Sequence, residues 1–360
     1  MTIVLISDGI DQRFACHQLA EQLRRHGQHC LTVGGSRPSS DDVSSHLPIP
    51  ATDVELSANE LLGTALLDNA EAIGLFLEDT LKEQSFATSY RAICRNRQQT
   101  PVPLFGGAIS VDVGDRLIAT LSERQHLDLV LVPGDRHHAE AMAMTRHWPE
   151  SLRCPVILSV GLWFMPERPP IGSLRGHGRG SSQDVPKTLV ALVQDTIPTQ
   201  VGGKTQLLKQ LFRWAEQSPD WNVVVARDYP SIGQQHWIKK FNPEDWVFPA
   251  NAAFAAPGQM LPLLSNCSAC ITISSTWAMA PICWGRHCLV IGDFGIHTDQ
   301  GTTAFFGSGL MHRLSAIREL DDVMTLNAVN RNWLEALGWA LHDGPDRLIR
   351  CLQEIKEQRE

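Results

Sequence analysis

The amino-acid sequence predicts an α/β protein built from two Rossmann-like domains that face a cleft. This prediction rests on three observations. Short apolar segments of strand length alternate with longer segments of helical periodicity along most of the 360 residues. A stretch rich in Pro, Gly, Ser and Arg, residues 166–185, divides this alternation into two sets. Residues 269–295 contain one complete β-α-β unit.

Composition argues against several classes of protein. The net charge of -8 disfavours a nucleic-acid binder, because a phosphate backbone is met by clustered Lys and Arg. No apolar run approaches membrane-spanning length, and the chain enters a strand without a basic signal region. Nine cysteines, spread along the chain, fit a reducing compartment. We therefore expect a cytoplasmic protein without a transmembrane segment, for which peripheral association with the inner membrane stays open.

The first domain is predicted over residues 1–185, with the linker at 166–185. Its predicted elements are a strand at 2–6, a helix at 12–25, a strand at 31–33, helical patterning over 58–97, a strand at 101–110, a helix at 114–125, a strand at 127–132, a helix at 136–148 and a strand at 155–160. The fingerprint G-x-G-x-x-G is absent after the first strand, which argues against an NAD-dependent dehydrogenase.

The second domain is predicted over residues 186–330. Its predicted elements are strands at 189–193, 223–226 and 246–248, helices at 205–217 and 260–265, and then the β-α-β unit. Residues 331–360 have the pattern of one or two helices, which we expect to pack back towards the first domain.

The β-α-β unit contains the strongest candidate for a ligand site. A strand at 270–273 is followed by Ser274, Ser275 and Thr276, and then by a short helix and a second strand. A right-handed crossover puts this turn at the carboxyl end of the first strand, where parallel sheets bind ligands and helix N–H groups attract anions. The turn therefore predicts a phosphate cradle. Helix capping by Ser or Thr is the alternative, and it requires no ligand.

A second anion signal follows the first strand of the second domain. A Walker A loop requires glycine where Pro198 stands, so a P-loop is not expected. Gly202 and Gly203 nevertheless open a helix and let backbone approach a phosphate, with Lys204 and Thr205 directly after them. Both turns end strands of one parallel sheet, so we expect them on the same edge.

Two further loops of the second domain carry candidate binding residues. Arg227 ends the strand at 223–226 and is either a phosphate clamp or a salt-bridge partner of the next aspartate. His236 lies in the loop beyond it. Asp299 and Gln300 follow the last strand of the β-α-β unit, where an acid beside an amide suits sugar hydroxyls, although both residue types are often merely solvated.

Two aspartates of the first domain are candidates for a general base. Asp8 and Asp135 each follow a predicted strand beside a glycine and would face the opposite wall of the expected cleft. Either could accept a proton from an acceptor hydroxyl. Asp8 is preferred because it ends the first strand next to a glycine that lets a ligand approach, and Asp135 is the reserve. The alternative for each is an ordinary turn or helix-cap aspartate.

One cysteine set has spacing that zinc could use. It consists of Cys267, Cys270 and Cys283 with His287 or Cys288. Cys270 and Cys288 also stand where strand core residues belong, so packing as small hydrophobic residues is the alternative.

These features together resemble GT-B glycosyltransferases, in which a strand, a Ser/Thr turn, a small-residue helix and another strand hold the nucleotide phosphate. The Ser274-Ser275-Thr276 turn is also similar to the paired-serine motif of bacterial sialyltransferases and related capsule-polysaccharide transferases, which bind a CMP-sugar phosphate. The Asp/Glu-Gly base motif and the His-Pro motif of those families are not intact. Asp8 and Asp135 are partial candidates for the first, and His236 stands where the second is expected.

The resemblance implies a glycosyltransferase without cofactor that moves a sugar from a nucleotide donor onto a carbohydrate hydroxyl in surface-polysaccharide synthesis. The serine turn makes a CMP-linked, sialic-acid-like donor the first choice, whereas the Asp299-Gln300 pair favours a UDP- or GDP-sugar. The chain has no Asp-x-Asp motif, so we expect catalysis without a metal ion. A sugar-nucleotide epimerase or hydrolase, or a catalytically silent binding scaffold of the same fold, are the alternatives.

Overall fold

The computed structural model describes residues 1–35, 49–149, 152, 154–169, 186–194, 196–228, 247–256, 258–326, 328–339 and 341–359. These residues form two compact units, each built around one parallel sheet. The first unit contains the described residues up to 165 together with 334–359, and the second contains those from 166 to 333. The predicted α/β class with two Rossmann-like units is confirmed. His236 and most of the predicted linker lie outside the described residues.

The first unit has a seven-stranded sheet. Its strands are β1 (Thr2–Ser7), β2 (His29–Gly34), β3 (Val54–Glu55), β4 (Ala72–Phe76), β5 (Leu104–Gly106), β6 (Leu129–Val132) and β7 (Val156–Ser159). In space they follow the order β3-β2-β1-β4-β5-β6-β7, and all neighbours are parallel. The chain moves outward from β1 to β3 and then adds β4 on the other side of β1. The strand order therefore reverses between β1 and β4, which is where such sheets bind ligands.

Within the described residues, five helices connect these strands. They are α1 (Ile10–Arg25), α2 (Ala58–Leu62), α3 (Thr80–Asn96), α4 (Asp115–Glu123) and α5 (Asp135–Thr145). The middle strands β1 and β4 are almost entirely buried, as expected for parallel strands covered by helices on both faces. Phe86 and Tyr90 of α3 and Leu117 and Leu121 of α4 pack in one core cluster with strand residues.

The predicted helical patterning over residues 58–97 is wrong in its middle. The segment folds as α2, a 3-10 turn at Ala65–Leu67, strand β4 and helix α3. A short apolar run such as that of β4 cannot be told from a buried helix segment by periodicity. Gly74 has a packing reason in the strand, because a Cβ atom there would lie 2.7 Å from Leu5 Cδ2 and 2.9 Å from Phe105 Cζ.

The second unit has a six-stranded sheet. Its strands are β8 (Lys187–Gln194), β9 (Trp221–Asp228), β10 (Ala252–Phe254), β11 (Ala269–Thr272), β12 (His287–Ile291) and β13 (Met311–His312). The spatial order is β10-β9-β8-β11-β12-β13, again with parallel neighbours. The strand order reverses between β8 and β11. The carboxyl ends of these two strands therefore flank the switch point of the second sheet.

Two sequence predictions for the second unit need correction. Its helices among the described residues are α6 (Val201–Gln217), α7 (Met260–Asn266), α8 (Met279–Cys283) and α9 (Asp321–Thr325). Helix α6 begins four residues before its predicted start, so the low-propensity glycines lie inside its first turn. Of the strand predicted at 246–248, residue 246 lies outside the described residues, and residues 247 and 248 are not in a strand. Phe248 instead packs its ring from a loop, with centroids 4.8 Å from Phe212 and 5.0 Å from Phe254.

The C-terminal segment contains helices α10 (Arg331–Ala336) and α11 (Gly344–Glu357). Polar contacts hold α11 within the first unit: Asp346 Oδ1 lies 2.7 Å from His26 Nδ1, and Lys356 Nζ lies 3.1 Å from Glu71 Oε1. Among the described helices of the chain, none is long and apolar enough to cross a membrane.

Candidate functional site

A hydrogen bond crosses the switch point of the second sheet. Ser274 follows β11, and its Oγ donates to Oε1 of Gln194, the last residue of β8, at 2.6 Å. Beneath it, Thr272 Oγ1 donates to Leu192 O at 3.3 Å. The Ser turn is therefore at the carboxyl edge of the sheet, as predicted, and is fixed to the neighbouring strand by two side chains.

The two serine hydroxyls have internal partners. Ser275 Oγ accepts the N–H of Trp277 at 3.2 Å, while its own N–H donates to Thr272 Oγ1 at 3.0 Å. The capping alternative therefore describes Ser275. Ser274 is only 4% exposed and its single proton is engaged by Gln194. Thr276 is half-buried and begins a 3-10 turn, Thr276–Ala278, that leads directly into α8.

The start of α6 lies at the same edge, because it follows β8. Its N-cap, Gln200, makes no side-chain capping bond. Gly202 is exposed, and a Cβ atom there would meet nothing within 4 Å. A Cβ atom at Gly203 would instead lie 2.7 Å from Pro198 Cβ and 3.5 Å from Phe294 Cδ1. Gly203 thus allows the loops after β8 and β12 to approach the first turn of α6.

The remaining predicted residues of α6 and β9 lie near this edge. Lys204 and Thr205 are half-buried in the first turns of α6. Arg227 is the penultimate residue of β9 and pairs in register with Val193 of β8. Its guanidinium lies 4.8 Å from the centroid of the Phe254 ring, in cation–π distance. Neither of the two predicted roles of Arg227 included this aromatic partner.

Asp299 and Gln300 lie further along the loop after β12, in a 3-10 turn at Thr298–Gln300. Gln300 Nε2 donates to Asp299 Oδ2 at 2.9 Å on the exposed side of this turn. Thr302 Oγ1 accepts the N–H of His297 at 2.7 Å and donates to the carbonyl oxygen of the same residue at 3.0 Å. This loop is therefore ordered by its own contacts, with the acid and the amide paired to each other.

In the first unit, Asp8 follows β1 at the switch point of that sheet. Its Oδ1 accepts the N–H of Glu78 at 2.7 Å, and its Oδ2 lies 2.9 Å from Lys82 Nζ. The side chain is 27% exposed. The hydrogen bond and charge of Asp8 raise the pKa of Lys82, so the Lys82 ammonium group stays charged at neutral pH. The Asp8 side chain is thus held in position by Glu78 of the loop after β4 and by Lys82 of α3.

Asp135 has a more structural environment. It begins α5, accepts a hydrogen bond from Ser159 Oγ at 3.1 Å and lies 3.8 Å from Arg347 Nη1 of α11. A Cβ atom at the preceding Gly134 would lie 2.4 Å from the carbonyl oxygen of Ala336. The C-terminal segment therefore covers this strand end closely, although the Asp135 side chain itself is 78% exposed.

One buried acid near Asp8 was not predicted from the sequence. Glu83 is fully buried, and its Oε1 accepts the N–H of Leu77 at 3.1 Å. Burial raises the pKa of Glu83 to about 7, although Arg124 Nε, 3.5 Å from Oε2, opposes this shift. Acidic residues are common in the first turn of a helix, so the local sequence does not indicate that Glu83 is buried.

The cysteine set packs in the core of the second unit. Cys270 and Cys288 are register partners on β11 and β12, and both are buried. Cys267 Sγ donates to Leu264 O at 3.1 Å, and burial raises the pKa of the Cys267 thiol to about 12. Within the described ranges, no three His, Cys, Asp or Glu side chains form a group that could hold a metal ion. The geometry supports the packing alternative for these cysteines.

Two units, each with a parallel doubly wound sheet, define a GT-B-like architecture, and solved structures share it. A Methanocaldococcus jannaschii UDP-GlcNAc 2-epimerase, in complex with UDP-GlcNAc and UDP, has a TM-score of 0.60 at 12% identity, covering 98% of this chain and 100% of its own. A putative UDP-N-acetylglucosamine 2-epimerase from Listeria monocytogenes has a TM-score of 0.59 at 11% identity, and the match covers 100% of this chain and 97% of the epimerase. The glycosyltransferase of kitacinnamycin has a TM-score of 0.51 at 14% identity, and the match covers 100% of this chain and 99% of the transferase. At these identities the likeness concerns the fold.

The family comparison is more specific. The family model described as "Putative glycosyltransferase (DUF6716)" matches residues 91–354, and the chain belongs to this family. No curated protein matches the chain.

Proposed function

We propose that the protein is a glycosyltransferase that moves a sugar from a nucleotide donor onto a carbohydrate hydroxyl. The observation that carries the proposal is the switch point of the second sheet, where the Ser274–Gln194 hydrogen bond and the glycine-rich start of α6 lie at one edge. Ligands of open α/β sheets bind at such an edge. Membership of a family described as putative glycosyltransferases supports the reaction class.

The donor phosphates are bound by groups at this edge. Gly202 lets an anion approach the backbone at the start of a 17-residue helix that has no side-chain cap. Lys204 and Arg227 supply positive charge, and Thr205 and Thr276 supply hydroxyls. When the bond to the sugar breaks, negative charge grows on the leaving phosphate, and donors already fixed in position stabilise it.

For the donor, the structural arguments favour a nucleoside-diphosphate sugar over the CMP-sugar. The preference for CMP rested on paired serine hydroxyls, and both hydroxyls are engaged inside the protein. The start of α6, together with the positive charges of Lys204 and Arg227 at the same edge, suits two phosphates. UDP is the first nucleotide to test, since an epimerase of similar fold was solved with UDP-GlcNAc and UDP. A CMP-linked sialic-acid-like donor is the second.

Asp8 is proposed as the general base that removes the proton of the acceptor hydroxyl. The observation in its favour is an aspartate side chain at the switch point of the first sheet, held by the Glu78 N–H and Lys82. Asp135 is the reserve. The acceptor is proposed to be a surface polysaccharide or its precursor.

Thermal unfolding with CMP, UDP, GDP and CDP tests nucleotide binding, because a ligand of the folded state raises its stability. We expect one nucleotide to raise Tm, and its sugar conjugate to be consumed only when a carbohydrate acceptor is present. Consumption without an acceptor would indicate an epimerase or hydrolase instead. Binding without any turnover would indicate a scaffold, and the absence of binding by all four would refute the proposal.

A further inference from the structure

We infer that Gln194 binds the donor phosphate directly through its side-chain amide, and that Ser274 is a positioning residue that acts through Gln194. The inference rests on the proposed function, since it concerns the same nucleotide site. It changes the role predicted for Ser274, whose hydroxyl was expected to contact the phosphate itself.

The first step concerns the proton of Ser274. A serine hydroxyl has one proton to donate. In the structure that proton is on the 2.6 Å bond to Gln194 Oε1, and the serine is buried. A phosphate oxygen is an acceptor and requires a donor. Ser274 could therefore serve a phosphate only by giving up a short hydrogen bond to Gln194.

The second step concerns the amide of Gln194. A side-chain amide carries its oxygen acceptor and its NH2 donors on opposite sides of one carbon, so fixing one side orients the other. Ser274 fixes the oxygen, which directs both N–H donors of Nε2 away from the Ser turn. Gln194 is half-buried at the carboxyl end of β8, so part of the residue is open to solvent at the switch point. An oriented pair of neutral donors there suits a phosphate oxygen.

The third step concerns the independence of the turn from Gln194. Thr272 Oγ1 donates to Leu192 O and accepts the N–H of Ser275, so β8, β11 and the turn stay joined without the glutamine. A change at Gln194 should therefore leave the fold intact. The same bonds make the Ser turn a rigid support for the amide.

The test compares Gln194→Glu with Gln206→Glu, which adds the same charge at an exposed position of α6. In Gln194→Glu the carboxylate still accepts from Ser274 but presents an oxygen in place of Nε2. UDP and uridine are the probes, in titration calorimetry. We expect Gln194→Glu to weaken UDP binding by about 10-fold or more, because two acceptors then face each other. Uridine, which lacks phosphate, should bind equally to both variants.

A double-mutant cycle separates the two roles. Ser274→Ala frees the amide to rotate and should weaken UDP binding in the wild-type background, and Ser274→Thr should restore it. In the background of Gln194→Met, which removes the donors without adding charge, Ser274→Ala should have no further effect. Additive losses would mean that Ser274 contacts the phosphate itself.

The outcomes distinguish this inference from the proposed function. If the wild type binds UDP and Gln194→Glu binds it as tightly as the Gln206→Glu control, the role inferred for Gln194 is refuted. The proposed nucleotide site is not contradicted by that result. If the wild type binds no nucleotide, both the proposed function and this inference fail. Should Gln194→Glu unfold, the comparison of Gln194→Met with the wild type gives the same decision.

Discussion

Replacing Gly203 by alanine, with Gly202→Ala as its control, tests how the start of α6 is built. The two glycines are neighbours in the first turn of the helix, but their surroundings differ. A methyl group at Gly203 would lie 2.7 Å from Pro198 Cβ, and the proline ring is not a flexible chain end that can move aside cheaply. A methyl group at Gly202 would meet no atom within 4 Å.

The expected magnitudes follow from these distances. Alanine is favoured over glycine in a helix by up to about 1 kcal/mol, and both variants share this gain. Forcing a methyl group into a packed site costs about 1–3 kcal/mol, and only Gly203→Ala carries this cost. Because both variants share the gain in helix propensity, it cancels when their unfolding free energies are compared. Gly203→Ala should therefore unfold with a free energy about 1–3 kcal/mol lower than Gly202→Ala.

Thermal and urea unfolding of both variants measure this difference, and calorimetry with UDP completes the comparison. A difference of about 1 kcal/mol should separate the two Tm values by roughly 2–4 °C. Gly202→Ala should be no less stable than the wild type, yet it should bind UDP more weakly, because its methyl group occupies the space proposed for a phosphate. Equal unfolding free energies for the two variants would refute the packing argument. Unchanged UDP affinity in Gly202→Ala would remove that glycine from the site.

Three further predictions concern catalysis and pH. Asp8→Asn should lower turnover by about 10²-fold and leave nucleotide affinity unchanged. If its steady-state kinetics are normal and match those of the exposed control Asp115→Asn, Asp8 is not the general base. Turnover should persist in EDTA, and activity that is lost there and restored by manganese or magnesium would contradict metal-independent catalysis. Glu83 has a folded-state pKa of about 7, above its ordinary 4.5, so its contribution to stability is full at low pH and is lost as pH rises to 7. Glu83→Gln should therefore gain stability relative to the wild type between about pH 4.5 and 7 in urea unfolding, and a pH-independent difference would refute this.

The sequence by itself determined the class of fold and the main candidate edge. The β-α-β unit at 269–291 was predictable because its strands, turn and helix are each specified by neighbouring residues. The same holds for α1, α4 and most strands, whose apolar patterns are local. Parallel strands joined by helices leave little choice of handedness, so the Ser turn had to lie at the carboxyl edge.

Tertiary structure decided what local patterns could not. The apolar run of β4 was read as helix because only its partners β1 and β5 define it as a strand. The aromatic residue Phe248 suggested a strand but packs from a loop, against rings that lie elsewhere in the chain.

The same division applies to the site. The sequence indicated Ser274 but not its partner, because Gln194 is 80 residues away and the two meet only when β8 and β11 pair. It preferred Asp8 and kept Asp135 as the reserve, but nothing near Gly134 in the sequence shows that Ala336 closes over that strand end. It did not indicate that Glu83 is buried, because burial depends on the helices and loops packed around this residue. Hydrogen bonds, coverage and pKa shifts of this kind arise between distant segments, so only the folded chain contains them.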